Sequence, residues 1–583
     1  MNFTFFKYFI YLFLLIHFRF LQSHTPAFPI KEIHLLHADL TQKNAKIAPN
    51  AWVLKGNVQF EHQGTILSCD SSVYYKEQNL FHGYDNVKMY SENRKLYAQF
   101  IEYDGNTRIS KAYGNPIAYE GTTKLTANIL IYNAQTKRSQ AVGKAVLIDK
   151  KTRLTTHLLE YDGNTRQAYY TTGGTIYDGE NTLVSQKADY FSTEKRAEFT
   201  SKVCLTNKKQ TIRSERANYY TEPKRIDFSG PTIIEKNENP KDFIYTENGS
   251  HYTQQKTSYS SAPSSSIHHN GKTLKGDRLY FDHTKGYGSA TGNVWIEEPE
   301  KNRYLSGGYA EVYQNLDSVI LTDRPVAIKV LKDDNLFIHT DTLTAVRQPD
   351  STHILRAYPF AKIFKANMQG KCDSIFYKEA TGIIEFHTDP VLWVQGHQLT
   401  GDTMYAYINA KKESIESVDI IGNSFIISKI DTINEVEFNQ MKGRKMTGFF
   451  ENNEMKKLIV TGNGQILYYA DDEDEKTKKK KRIGINKSTC GIIEVYLNQH
   501  KIQRISCQQK AQSELAPESK IPKEQRFLSK FLWREKERPQ KIQEIFIPDL
   551  LKYRNEQQAE QRAIEKLKKD PDKNPEDDKQ QET

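Results

Sequence analysis

Cysteine is scarce in this 583-residue chain, which holds only Cys69, Cys204, Cys372, Cys490 and Cys507. Five dispersed thiols make no disulfide framework, and none has CxxC or Cys/His spacing, so no zinc or other metal site is expected. Cys490 and Cys507 flank GIIEVYLNQHKIQRIS, which reads as a hairpin. Its register brings the two thiols near each other without setting them directly opposite, so a bridge in an oxidising compartment and two free thiols are both left open. Catalytic signatures are missing too. There is no GxSxG, no HExxH and no glycine-rich phosphate loop before a helix, so the chain is not read as an enzyme and implies no cofactor. The sixteen histidines are scattered, and the adjacent His268 and His269 are expected to be exposed polar filler in a serine-rich stretch.

Apolar residues are also in short supply, at 37% of the chain, against 34 tyrosines and 28 phenylalanines. That balance argues against a set of compact cores and suits β-structure with many exposed strand positions. Beyond the first twenty or so residues no apolar run is long enough to span a membrane. The opening MNFTFFKYFIYLFLLIHFRFLQSH has one early cation, Lys7, and then an apolar stretch. It reads as a secretory signal peptide over residues 1–23, with an uncleaved membrane tether as the alternative. The formal net charge of +10 favours anionic partners, yet the basic residues are dispersed, and export argues against nucleic acid. DDEDEKTKKKKR at 471–482 is read as a solvated loop, with phosphate contact by residues 478–482 as the sharper alternative.

The chain has periodicity instead. YDGNTR occurs at 103–108 and again at 161–166. Aligned on it, Leu67, Leu96, Leu125, Leu154, Leu183 and Ile212 follow one another at steps of 29 residues, and Tyr74, Tyr103, Tyr132, Tyr161, Tyr190 and Tyr219 keep the same step. Two places after each aliphatic residue stands a small one, including Cys69, Ala98 and Ala127; next to it comes a polar column, Asp70, Gln99, Asn128, His157, Gln186 and Glu215. Six units without slippage mark a repeat architecture. KLTANILIY alternates with period two, so the units are strands. Pairs such as Gly56-Asn57, Asp85-Asn86 and Gly143-Lys144 mark a bulge or corner in the second strand of each unit.

Leucine and small residue share a face. The tyrosine, seven positions on, is expected on the opposite surface unless a bulge intervenes. The aliphatic stripe then either packs a dry core or lines a groove for a thin apolar guest; the residues leave both open. After Tyr219 the step is lost. Residues 245–273 are rich in serine and threonine and read as a long loop or degenerate unit, after which LKGDRLYF, LTGDTMYAY and GNVWI resume the pattern more loosely. Phe527, Leu528, Phe531, Leu532 and Trp533 fit a short apolar helix face, either capping the last strand or docking a partner. The expected organisation is a repeat array over 28–244, a second over 274–470, a hairpin over 483–510, and short helices with a disordered tail over 511–583.

With a secretion signal followed by GNVQFEHQGTILSCDSSVYY, TGNVWIEE and the recurring leucine–small–polar–tyrosine strands, the chain resembles the OstA-like (organic solvent tolerance, LptA-type) family of lipopolysaccharide-transport proteins, in its long form. The resemblance covers about residues 30–465. It implies an all-β fold in which stacked antiparallel strands form V-shaped, taco-like β-jelly rolls, here two in tandem. It also implies a periplasmic bridge protein that carries lipid A acyl chains in an apolar trough. On that footing Leu67, Leu96, Leu125, Leu154, Leu183, Ile212, Ala98 and Ala127 would face the lipid. Partners would be lipopolysaccharide and other proteins of the same fold, met through edge strands, with end-to-end self-association left open. Nothing after residue 470 fits the transmembrane barrel of the family's outer-membrane member. The rival class is a secreted β-repeat scaffold or adhesin, with a close-packed interior and outward tyrosines that bind carbohydrate or protein.

Overall fold

The structure, a computed structural model, describes the chain apart from residues 1–31, 44–45, 47–48, 332–333, 410–413, 431–436, 452–453, 474–479, 499–500, 546–549 and 569–583. The signal-peptide reading, the end of the tail, and Lys478 and Lys479 of the run at 478–482 therefore lie outside the described residues; Arg482 of that run bonds Asp471 and Glu437. Two compact units are present, residues 1–207 with 218–222, and residues 208–217 with 223–583.

The first unit is an antiparallel ladder of strands that fold sharply at their middles. Thr65–Tyr75, Leu80–Ser91, Arg94–Asp104, Arg138–Asp149 and Thr152–Asp162 each run through both arms of a V. The corner is a bulge, seen as register breaks between Ser68 and Ser71, Tyr84 and Val87, and Val142 and Ala145. It falls on the anticipated dipeptides. Gly143 and Lys144 both have positive φ, +73° and +49°, a conformation in which a side chain on the first residue would strain the backbone. A Cβ there would also stand 2.7 Å from the Asn128 amide. The polar column braces these corners: Asn86 Nδ2 donates to Asp70 at 2.6 Å, and the Asn128 N–H donates to the Gly143 carbonyl at 2.8 Å.

The second unit repeats the design with longer strands. Tyr287–Glu298 bends at Gly292-Asn293 and Ser414–Lys429 at Gly422-Asn423, with Asn293 donating to Asp277 and Asn423 to Asp402. Residues 245–273 are not a loop. They form most of Phe243–Tyr252, then Thr257–Ser260, Ser266–His269 and the start of Lys272–Lys275, all paired antiparallel. Serine and threonine satisfy the ladder as well as larger residues do, so composition disguised a regular unit and no break falls there. His268 and His269 are correspondingly not exposed filler: they lie in a strand, bonded to Glu560 and Asp242 at 2.8 and 2.7 Å. Cys490 and Cys507 stand as a disulfide pair with Cα atoms 5.7 Å apart, in the usual range for a bridge. Ile212, in this unit, is buried.

The C-terminal segment corrects another expectation. Residues 527–533 form no helix; with the neighbouring described residues 517–545 they run as a strap along the outer face of the second unit. Phe531 and Trp533 pack on Phe425, Ile427 and Phe438. Ile521 and Leu528 cover Leu467, Tyr469 and Ile485. Further on, Ile542 meets Trp295, Val326 and Phe337, and Ile564, on the helix Leu550–Lys568, meets Ile233 and Tyr245. Buried glutamines clip the strap's backbone. Gln398 Nε2 donates to the Leu532 carbonyl at 2.8 Å while its Oε1 accepts from the Arg534 N–H at 2.6 Å. Gln440 does the same for the Arg526 carbonyl and the Leu528 N–H, at 2.9 and 2.8 Å.

Candidate functional site: the interior of the first unit

Cross-strand register joins the leucine column to a second one that shares its 29-residue step. Leu67, Leu96, Leu125, Leu154 and Leu183 alternate with Phe60, Met89, Ala118, Leu147, Ile176 and Leu205, each directly opposite its neighbours. All are buried, none more than 4% exposed. The result is an unbroken apolar row across the first unit from Phe60 to Leu205. Ala127 is buried beside it, whereas Ala98 is only half-buried next to a corner.

The tyrosines do not face outward. Tyr74, Tyr103, Tyr132, Tyr161, Tyr190 and Tyr219 are all buried. The corner adds a residue between leucine and tyrosine, and one extra residue reverses the alternation, so both point inward from the two arms. Their partners across the strands are Phe81, Ser110, Ser139, Ala168 and Ala197, mostly small, which leaves room for the rings. Near the start of the ladder, Phe60 stacks on Phe81 at 4.8 Å and lies 5.2 Å from Tyr74.

Four of the six tyrosines reach the tip of the opposite arm with their hydroxyls. The Tyr74 hydroxyl donates to the Ile33 carbonyl at 2.7 Å, Tyr103 bonds His62 Nδ1 at 2.8 Å, Tyr190 donates to Asp149 at 3.0 Å, and Tyr219 donates to Asp178 at 2.9 Å. Ile33, His62, Glu120, Asp149 and Asp178 fall in one further column of the 29-residue repeat. These bonds latch the tips of the V together. Burial pushes the Tyr103 and Tyr161 phenols up to about 12, and burial together with the Asp149 charge raises that of Tyr190. At Tyr132 the latch differs: the Arg94 guanidinium sits 4.0 Å over its ring and 4.0 Å from Glu120, whose pKa is raised by burial.

The two arms are in contact. Between Met89, Leu96, Leu125 and Tyr132 the remaining gap is about 10 Å3, at the threshold for a single water. Of the two readings the sequence left open, a packed interior and an open groove, the described residues of the row are packed, with the tyrosines filling the space between the arms. The row nonetheless has the chemistry of an alkyl-chain site. It is continuous and apolar, and the hydroxyls of Ser110 and Ser139 lie in the facing tyrosine column and not in the row itself. Among the described residues no group of histidine, cysteine and carboxylate side chains is placed to hold a metal ion.

The model of the OstA-like protein family matches residues 31–117 and 111–215, the segment that builds this interior. No curated protein matches the chain. Among solved structures there is a likeness to LptH of Pseudomonas aeruginosa, described as the LptA-homologous periplasmic component of the lipopolysaccharide transport device. The identity is 15%, over 23% of this chain and 81% of that one, with a TM-score of 0.13.

Proposed function

We propose that this OstA-like protein is a component of lipopolysaccharide transport in the periplasm, holding lipid A acyl chains between the two arms of its first unit. The observation that carries the reading is the unbroken row from Phe60 to Leu205 inside the segment matched by the family model. A chain moving from strand to strand along that row would not enter water, which saves about 0.8 kcal/mol for each methylene. Entry requires the arms to part. The side that parts is the one held by the polar latches at the tips, since the other is the continuous covalent corner. The edge strands His34–His37 and Leu40–Lys43, exposed along their length, offer pairing to another protein of the same fold.

The filled interior favours one other reading, a repeat scaffold whose rows are core alone. Burial of each leucine contributes about 2 kcal/mol without any lipid. Mass spectrometry of the protein purified from its own envelope separates the two. Co-purifying lipopolysaccharide, with a photoreactive residue at Leu125 or Leu154 labelled by it, supports transport. A lipid-free protein that takes up none when mixed with lipopolysaccharide is a scaffold.

A further inference from the structure

The serine-rich stretch has an outer face whose polar groups are not used by the fold. Register sets Asp227 opposite Ser250, Ser250 opposite Tyr259, Tyr259 opposite Tyr280, and Tyr280 opposite Ser289. Leu279 and Ala290, which alternate with them, are buried inside, so this row faces out. Asn248, Ser261, Arg278 and Thr291 lie beside it and, with it, line an open hollow of about 640 Å3. The hollow forms where strand Thr257–Ser260 ends before Ser266–His269 begins, and where serines replace the bulkier residues of other units. Its size is that of a small-molecule site.

What lines it narrows the ligand. Leu279 is the one aliphatic lining residue, which disfavours a lipid tail. Asp227 is taken up by Arg225 at 2.9 Å, so Arg278 is the single cation of the lining, too few for a polyanion. The hydroxyls of Ser250, Ser261, Ser289 and Thr291 and the Arg278 guanidinium have no hydrogen-bond or ion-pair partner among the described residues. Further along the sheet the comparable groups are spent, Tyr309 and Tyr313 both donating to Glu311 at 2.7 and 2.5 Å. Tyr259 is 46% exposed, and its ring lies 5.0 Å from that of Tyr280, with Tyr252 and Tyr287 continuing the line at 6.1 and 6.2 Å. Rings that offer an apolar face beside free hydroxyl, amide and guanidinium groups match a molecule with flat C–H faces and many hydroxyls.

We propose that this hollow binds an oligosaccharide, its sugar rings against Tyr259 and Tyr280 and its hydroxyls bonded by Ser250, Ser289, Thr291 and Arg278. The site does not depend on lipid between the arms of the first unit.

The test is calorimetric titration of the full chain with two probes, the lipid-free oligosaccharide released from lipopolysaccharide and a dextran oligosaccharide. Binding of either is expected, and which one binds tells a glycolipid headgroup from a free glycan. Tyr259→Ala with Tyr280→Ala should weaken it at least about tenfold, equivalent to 1.4 kcal/mol, with circular dichroism unchanged. Tyr259→Phe, which keeps the ring, should bind like the parent chain. If the double variant misfolds, Arg278→Ala, on an exposed side chain, provides the comparison. No binding of either probe, or binding by the Tyr259/Tyr280 and Arg278 variants as tight as that of the parent chain, overturns the proposal.

Discussion

The Tyr190 hydroxyl donates to Asp149 Oδ2 at 3.0 Å across 41 residues of chain, joining the tips of two arms that are otherwise connected at their corner. Tyr219 and Asp178 repeat the separation and the bond. Tyr190→Phe with Tyr219→Phe keeps both rings and removes both donors. We expect about 0.5–1.5 kcal/mol of destabilisation for each bond lost, since Asp149 keeps Ser192 as a donor, read as a lower urea midpoint. In the transport reading the same variant takes up more lipopolysaccharide than the parent chain, because its arms part more readily. A variant as stable as the parent would show that the bonds do not hold the tips.

Leu154 is fully buried, opposite Leu147 and Ile176. Replacing it by arginine would leave an unpaired charge in a filled interior and unfold the unit, so that substitution cannot probe lipid contact. Leu154→Ala should instead cost about 2–5 kcal/mol through lost burial and the cavity left behind. Equilibrium unfolding measures it; a cost below 1 kcal/mol, in the range of a surface change, would mean the row is not packed.

How much of this was legible in the sequence depends on which feature is asked for. The step, the strands and the corner dipeptides were readable because identical residue types recur in register. The column of Phe60, Met89, Ala118, Leu147, Ile176 and Leu205 keeps the same step, but its residues share only apolarity, so it did not stand out. The direction of the tyrosines turned on a single inserted residue, which pattern alone registers as an option and cannot decide. The strap was legible only as the apolar cluster Phe527–Trp533, which reads as a helix face able to cap a strand; its course was hidden for a different reason. Extended chain held by Gln398, Gln440 and scattered aromatics has neither a period of two nor one of 3.6.

Removing the strap should be costly. Deletion of residues 521–583 would expose Phe425, Phe438, Leu467 and Ile485 on one sheet face and leave Gln398 and Gln440 without their backbone partners. A contiguous patch of that kind promotes association. We expect a rise in binding of the dye ANS and concentration-dependent oligomers by light scattering. A monomeric truncated chain that binds no more dye than the parent would show the strap to be dispensable.

Two histidines set an acid limit on the second unit. Burial holds His251 neutral down to about 3, with the neighbouring His283 adding to the effect; burial and then Lys236 hold His283 neutral down to about 4. In the unfolded chain both titrate near 6.5. Between about 6.5 and 4 the unfolded state therefore binds more protons than the native one, and stability falls as pH falls, by up to about 1.4 kcal/mol per unit for each group. Above 6.5 their contribution is complete. Urea midpoints at successive pH values should show this slope, and His251→Asn with His283→Asn should flatten it.

Because both columns point inward, the informative contrast for lipid labelling is not leucine against tyrosine. It is the inner row against the outer face of the same strands. Tyr119 and Tyr177 are 37% and 40% exposed, yet each sits one residue from an inner-row member, Ala118 and Ile176. A photoreactive amino acid at Ala118 or Ile176 and one at Tyr119 or Tyr177 thus differ in face but hardly in position along the ladder. If acyl chains pass between the arms, the first pair is labelled by lipopolysaccharide and the second is not, and labelling increases in the Tyr190→Phe, Tyr219→Phe background. Labelling confined to Tyr119 and Tyr177 would put the lipid on the outside of the sheet and remove any role for the latch in admitting it.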